Sequence, residues 1–156
     1  MSRFAALTKR VLLVSALVAS TAVAAQANPD QKNPVSAQEL TEIYAGKTWV
    51  WSVGGSYWGK DSSFQAIAGE AVGLGKWYAT NKGDLCYEAT WYKGGSGEGK
   101  QLKRCFRHVK DSQGVMWKQD PKNKTWYKPN KEFSERLKSG NKIKRDVKKA
   151  RKKNGV

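Results

Sequence analysis

One histidine, two cysteines and 13 acidic residues are the groups with which this 156-residue chain could do chemistry. His108 is the lone imidazole. A lone histidine more often holds structure than moves protons, because acid–base catalysis needs a positioned partner. No serine occupies a Gly-x-Ser-x-Gly elbow, so a serine hydrolase has no visible nucleophile. Asp61, Glu70, Asp84 and Glu88 could supply the paired carboxylates of glycoside hydrolysis. One imidazole and two oxidisable cysteines are too few to cage a metal. The expectation is a protein that is not an enzyme, with no catalytic residue, metal site or cofactor.

The cysteines point to a compartment. Arg3, Lys9 and Arg10 precede an apolar run from Val11 to Val23, and small-x-small sites end at Ala24 and Ala27. Charge, a short apolar run and small residues predict a signal peptide over residues 1–27, cleaved near Ala24 or Ala27. The run is short for a transmembrane helix. The mature chain is then expected to be periplasmic or secreted. An oxidising compartment makes a Cys86–Cys105 disulfide the expected state of both thiols.

The elements that must position these groups are mostly short strands. Residues 28–35 read as a linker, 36–140 as one β-barrel domain and 141–156 as a basic tail. Ser36 and Glu39 have capping-box spacing, and Leu40, Ile43 and Tyr44 share a face, so a helix is predicted from Ala37 to Ala45, stopped by Gly46. Strands are predicted at Thr48 to Val53, Tyr57-Trp58, Ser63 to Ala68, Lys76 to Thr80, Leu85 to Tyr92, Lys100 to Val109, Val115 to Gln119 and Thr125 to Lys128. Gly54-Gly55 reads as a turn, and Trp49, Trp51 and Val53 as one face. Glu132 to Lys138 reads as a turn or two of helix. The fold class is all-β: an antiparallel, lipocalin-like small barrel or sandwich of about seven to eight strands, with a short N-terminal helix and a basic C-terminal helix or tail.

A register follows if Cys86 lies opposite Cys105. Antiparallel partners then keep a constant sum, placing Asp84 opposite Arg107 and Glu88 opposite Lys103 on the disulfide's face. The other face pairs Leu85 with Phe106, Ala89 with Leu102, and Tyr87 with Arg104, the last as a candidate cation–π contact. A one-residue slip would scramble this sorting. Asp84 and Glu88 thereby gain basic partners, which disfavours either as a general acid.

The runs Tyr44-Ala45-Gly46-Lys47-Thr48-Trp49, Gly75-Lys76-Trp77-Tyr78, Leu85-Cys86-Tyr87-Glu88-Ala89-Thr90-Trp91 and Cys105-Phe106 occur here in one order and spacing. Together they resemble the bacterial domain-of-unknown-function family numbered 995, small exported proteins mostly of alphaproteobacteria. The resemblance spans roughly Ser36 to Gly140 and implies export and a β-rich fold, but no reaction. The general plan also looks like small lipocalin-like barrels, and Gly75-Lys76-Trp77 matches their Gly-x-Trp.

Two features are left to carry binding. Most tryptophans read as core, but Trp58, beside Tyr57 and flanked by Gly54, Gly55 and Gly59, reads as exposed. Tyr57 and Trp58 are therefore candidates for a stacking surface at a barrel mouth. The chain carries a net +16, falling to +13 without Arg3, Lys9 and Arg10. Lys142, Lys144, Arg145, Lys148, Lys149, Arg151, Lys152 and Lys153 crowd the tail against Asp146 alone. Ile143, Val147 and Ala150 give that segment a thin apolar stripe. These cations are candidate contacts for a polyanion. Export makes an anionic surface polysaccharide or membrane surface the expected partner, and not nucleic acid. The leading expectation is a non-enzymatic cell-envelope protein that binds such a surface. Alternatives are a lipocalin-like carrier of a small apolar ligand, or a proteinaceous inhibitor of a hydrolase. A hollow or filled interior separates the carrier from the surface-contact protein.

Overall fold

The computed structural model describes residues 28–156. The expected leader, residues 1–27, lies outside them. The described residues form nine antiparallel strands, β1 to β8 as a meander and β9 returning beside β1: β1 (Lys47–Trp51), β2 (Gly54–Trp58), β3 (Ser63–Ala68), β4 (Ala71–Ala79), β5 (Asp84–Tyr92), β6 (Gly99–Lys110), β7 (Met116–Gln119), β8 (Trp126–Tyr127) and β9 (Leu137–Ser139). The sheet order is β8-β7-β6-β5-β4-β3-β2-β1-β9, so β8 and β9 are unpaired edges and the sheet does not close. It curls nonetheless: the Lys118 ammonium on β7 lies 3.9 Å from the Trp49 ring centre on β1. Three helices complete the described residues: α1 (Ala37–Tyr44), α2 (Asn130–Arg136) and α3 (Lys144–Asn154). No helix among the described residues is long and apolar enough to cross a membrane.

Strand alternation sorts the side chains. The concave face collects Trp58, Phe64, Ala66, Trp77, Leu85, Tyr87 and Ala89, joined by Leu40 and Tyr44 of α1. Phe64 and Tyr87 stack with centres 4.2 Å apart and planes 4° apart. Such a pair adds about 0.5–1.5 kcal/mol beyond the area it buries. Ser36 caps α1 by accepting from the Glu39 N–H at 3.2 Å. Glu39 does not close the capping box; its carboxylate takes Lys110 at 2.8 Å instead. The expected linker is not free of the fold, because Val35 is buried and Pro34 bridges to Val109.

The cysteine hairpin has the register derived from sequence. Cys86 faces Cys105, Asp84 faces Arg107, Leu85 faces Phe106, Tyr87 faces Arg104, Glu88 faces Lys103 and Ala89 faces Leu102. The disulfide is formed. Arg107 reaches Asp84 at 3.1 Å and Lys103 reaches Glu88 at 2.7 Å. The disulfide's face is the convex one. Tyr87 stacks on Phe64 instead of on Arg104, which among the described residues lies over no ring.

Other expectations are corrected. Gly54-Gly55 is not a turn but the start of β2; the turn is Ser52-Val53, and Val53 is 64% exposed. Gly54 is needed because a Cβ there would sit 1.9 Å from the Ile67 carbonyl oxygen, a close strand approach. β4 begins at Ala71, earlier than Lys76, since its Ala-Val-Gly-Leu-Gly run pairs along β3. Leu137 and Lys138, expected as the end of a helix, belong instead to β9, which pairs with β1.

The basic tail is an ordered helix. Ile143 and Val147 are buried on the convex face against Ile67 and Val72, with Ala150 alongside. Burying each large aliphatic side chain is worth about 1.5–3 kcal/mol. Polar contacts fix both ends of the segment. Buried Thr48 donates to the Gly140 carbonyl at 2.6 Å and accepts from the Lys142 N–H at 3.0 Å. The Asn154 amide donates to the Glu70 carbonyl at 3.1 Å, and the Asn154 carbonyl accepts from the Gly97 N–H at 3.0 Å. Asp146 sits in the first turn and Arg151, Lys152 and Lys153 in the last, the arrangement the helix dipole favours. Gly155, at φ 73°, ends the helix in the left-handed conformation.

Candidate functional site

The concave face encloses a cavity of about 470 Å³. This lies within the range of roughly 300–1,000 Å³ usual for small-molecule sites. The cavity is half open, so side chains do not fill the whole concave face. Its volume comes from a mismatch in side-chain size. Small residues, Ser56 on β2 and Ala66 and Ala68 on β3, line the cavity beside the rings of Trp49, Trp51, Trp58 and Trp91. Gly73, next to Ala66 in the sheet, makes room for Trp91: a Cβ there would stand 2.7 Å from that indole. Leu102 is 38% exposed and Ala68 is exposed, marking the open end.

Two cations reach this apolar space. Arg104 is exposed on β6. Lys118 is only 6% exposed and lies within an aromatic cage. Its ammonium is 3.9 Å from the Trp49 ring centre, 5.0 Å from Phe106 and 5.8 Å from Tyr44. Among the described residues it makes no hydrogen bond and no ion pair. Burial, with a smaller push from the Arg136 charge, brings Lys118 down to about 8, against the opposing pull of Glu132 and Asp120. The Trp58 indole N–H, also on the cavity wall, is buried without an acceptor among the described residues.

Beside this cage the one histidine is spoken for. His108 is fully buried; its Nδ1 faces the Phe106 carbonyl at 2.9 Å and its Nε2 faces the Tyr44 hydroxyl at 3.0 Å. Nδ1–H donates and Nε2 accepts when Tyr44 donates, which defines a neutral tautomer. Burial, reinforced by the Lys118 charge, lowers His108 to about 3. Burial also raises the Tyr44 hydroxyl well above its ordinary range. Tyr44 and His108 are thus bonded to each other and to the Phe106 carbonyl beside the cage.

The carboxylates singled out from sequence stand away from the cavity. The Ser63 hydroxyl, at 2.6 Å, and the Ser63 N–H lower Asp61. Lys153 pairs with Glu70 and lowers it. Lys103, helped by the Tyr78 hydroxyl, lowers Glu88. Among the described residues no three His, Cys, Asp or Glu side chains cluster as a metal site would require.

Tyr57 and Trp58 do not form one stacking surface. Alternation sends Trp58 into the concave face, where it is 3% exposed and packs edge-on to Phe64 at 5.0 Å. Tyr57 points the other way and packs beside the convex cluster under α3. The eight basic residues Lys142, Lys144, Arg145, Lys148, Lys149, Arg151, Lys152 and Lys153 are all exposed, on and just before one helix. Sequence reasoning missed Lys118. A lysine in a short strand reads as solvent-facing, and only extending the hairpin register to its neighbour, where His108 pairs with Lys118, reveals the inward side.

Fold and cavity define a small antiparallel β-sheet protein curled around an aromatic pocket, with a disulfide on its outer face. Over residues 11–147 the chain matches the family described as protein of unknown function (DUF995), and it belongs to that family. No curated protein and no solved structure matches it.

Proposed function

We propose that the protein is a non-enzymatic binder of a small, largely apolar molecule, held in the concave cavity and working outside the cytoplasm. The aromatic-walled void of about 470 Å³ carries this reading. A small domain that needed only stability would fill such a space, because each void forfeits packing contacts. The carrier alternative thus gains over surface contact alone. The test is fluorescence titration with the neutral probe N-phenyl-1-naphthylamine. One site per chain is expected, weakened at least about tenfold by Ala66→Trp, since a lost ring-sized space costs more than 1.4 kcal/mol. Leu102→Trp at the open end serves if the first variant misfolds. Binding indifferent to both substitutions would sink the reading.

The ordered helix α3 supports a second role. Its cations form one exposed face bolted to the sheet, suited to hold the protein at an anionic polysaccharide or envelope surface. Deleting residues 142–156 would uncover Ile67 and Val72, so charge reversal at Lys144, Lys148 and Lys152 is the cleaner probe. Retention on an acidic polysaccharide should fall with salt and with reversal. Retention insensitive to both removes this role.

A further inference from the structure

We propose that the molecule bound in the cavity is an acid with an apolar body, and that Lys118 is the counter-charge for its carboxylate. This rests on the cavity being a ligand site and adds the chemical class of the ligand. Lys118 is the cation that the walls enclose, 6% exposed and lacking any hydrogen-bond acceptor among the described residues. Three rings face its ammonium, which stabilises a cation but leaves its three N–H donors without an oxygen.

Glu132 and Asp120 attract Lys118 at longer range, but among the described residues no group brings an oxygen within hydrogen-bond or ion-pair distance of its ammonium. Glu132 and Arg136 approach from α2; one Glu132 oxygen lies 3.8 Å from Arg136, and the other, Oε2, is buried without a hydrogen bond among the described residues, so Glu132 acts on Lys118 through its charge and not through a bond. Asp120, just past β7, is turned to the Lys122 and Asn123 N–H groups at 2.7 and 3.1 Å. Tyr44 of α1 is bonded to His108 of β6, and Tyr127 of β8 lies opposite Lys118 in the sheet. Arg104 of β6 is the other cation at the cavity, but it is exposed. A carboxylate entering from the open end would meet apolar rings along its body and Lys118 at its head.

Matched ligands test this. Dodecanoate and dodecanol share an alkyl body; 2-naphthoate and 2-naphthol methyl ether share an aryl one. Titration calorimetry on the full mature chain should show the wild type binding at least one acid about tenfold or more tighter than its neutral partner, as expected for charged hydrogen bonds. Which pair binds tells whether the body is aliphatic or aromatic. Lys118→Met should erase the preference while still binding the neutral partner, and a thermal melt confirms that the variant is folded. Lys118→Gln serves if it is not. Equal binding of acid and neutral partner by the wild type overturns the acid assignment and leaves the cavity reading standing. A preference that survives in the Lys118 variants also overturns it, assigning the charge to Arg104. If no acid binds, the proposal fails, and the neutral naphthylamine probe shows whether the cavity reading fails with it.

Discussion

The convex and concave faces of one curled sheet differ in how many of their polar groups have partners. On the convex face polar groups have partners: the disulfide, the Asp84–Arg107 and Glu88–Lys103 pairs, and the Thr48 and Asn154 bonds that fix α3. On the concave face Lys118 is buried with neither hydrogen bond nor ion pair among the described residues, Trp58 keeps an unmade hydrogen bond, and a void remains. Burying an unpaired charge opposes folding. One face is arranged for stability. The other gives some stability up, which is where a ligand can return it.

Removing the same kind of feature from the two faces should therefore have opposite signs. The largest loss is expected on the convex side. Reducing or replacing the Cys86–Cys105 bridge should cost about 3 kcal/mol for a loop of roughly 20 residues. The melting temperature should drop by on the order of 10–20 °C with no change in oligomeric state. An unchanged melt under reduction would remove the disulfide from the account. On the concave side, Lys118→Met should stabilise the protein by about 1–3 kcal/mol at pH 7, as urea unfolding can show. The sign follows from linkage. A lysine held at about 8 in the folded chain and 10.5 unfolded favours folding more as pH rises from about 8 to 10.5, so the variant's advantage should shrink across that window. A destabilised Lys118→Met with native-like structure would mean that the cage needs its cation.

Acid tests the same face from its closed end. His108, near 3 when folded and 6.5 when free, resists protonation only while buried. The unfolded chain takes up that proton first, so stability should fall as pH drops below about 6.5. Roughly 2 kcal/mol should be lost through this group by pH 5. A folded His108→Gln variant should lack that part of the slope in urea titrations at pH 7 and 5; an equal slope would assign it to other groups. The smallest effect is expected at Glu88, which is exposed. Glu88→Gln should leave the melting temperature unmoved, because exposed ion pairs contribute little.

The faces also differed in how far they could be read from sequence. The convex hairpin was legible because one assumption, Cys86 opposite Cys105, fixed every partner by arithmetic. The stripe Ile143, Val147 and Ala150 likewise foretold the buried side of α3. The concave site was not legible, for three physical reasons. Alternation hides direction in a two-residue motif, so Tyr57 and Trp58 were grouped although they point to opposite faces. Glycine-rich β4 was read short because Gly73 and Gly75 are chosen by what packs over them, the Trp91 ring and the β5 backbone, and not by strand propensity. The third is curvature. Lys118 and Trp49 lie on strands far apart in the sheet order, and only the curling of the whole sheet brings them together.

The most direct test is the titration of the Lys118 ammonium by NMR, with and without saturating dodecanoate. In the free protein it should titrate near 8, well below a solvated lysine. With the acid bound it should rise towards or beyond 10.5, because a neighbouring carboxylate favours the charged form. A Lys118 that already titrates near 10.5 when free, or that does not move when the acid saturates the cavity, would contradict the account.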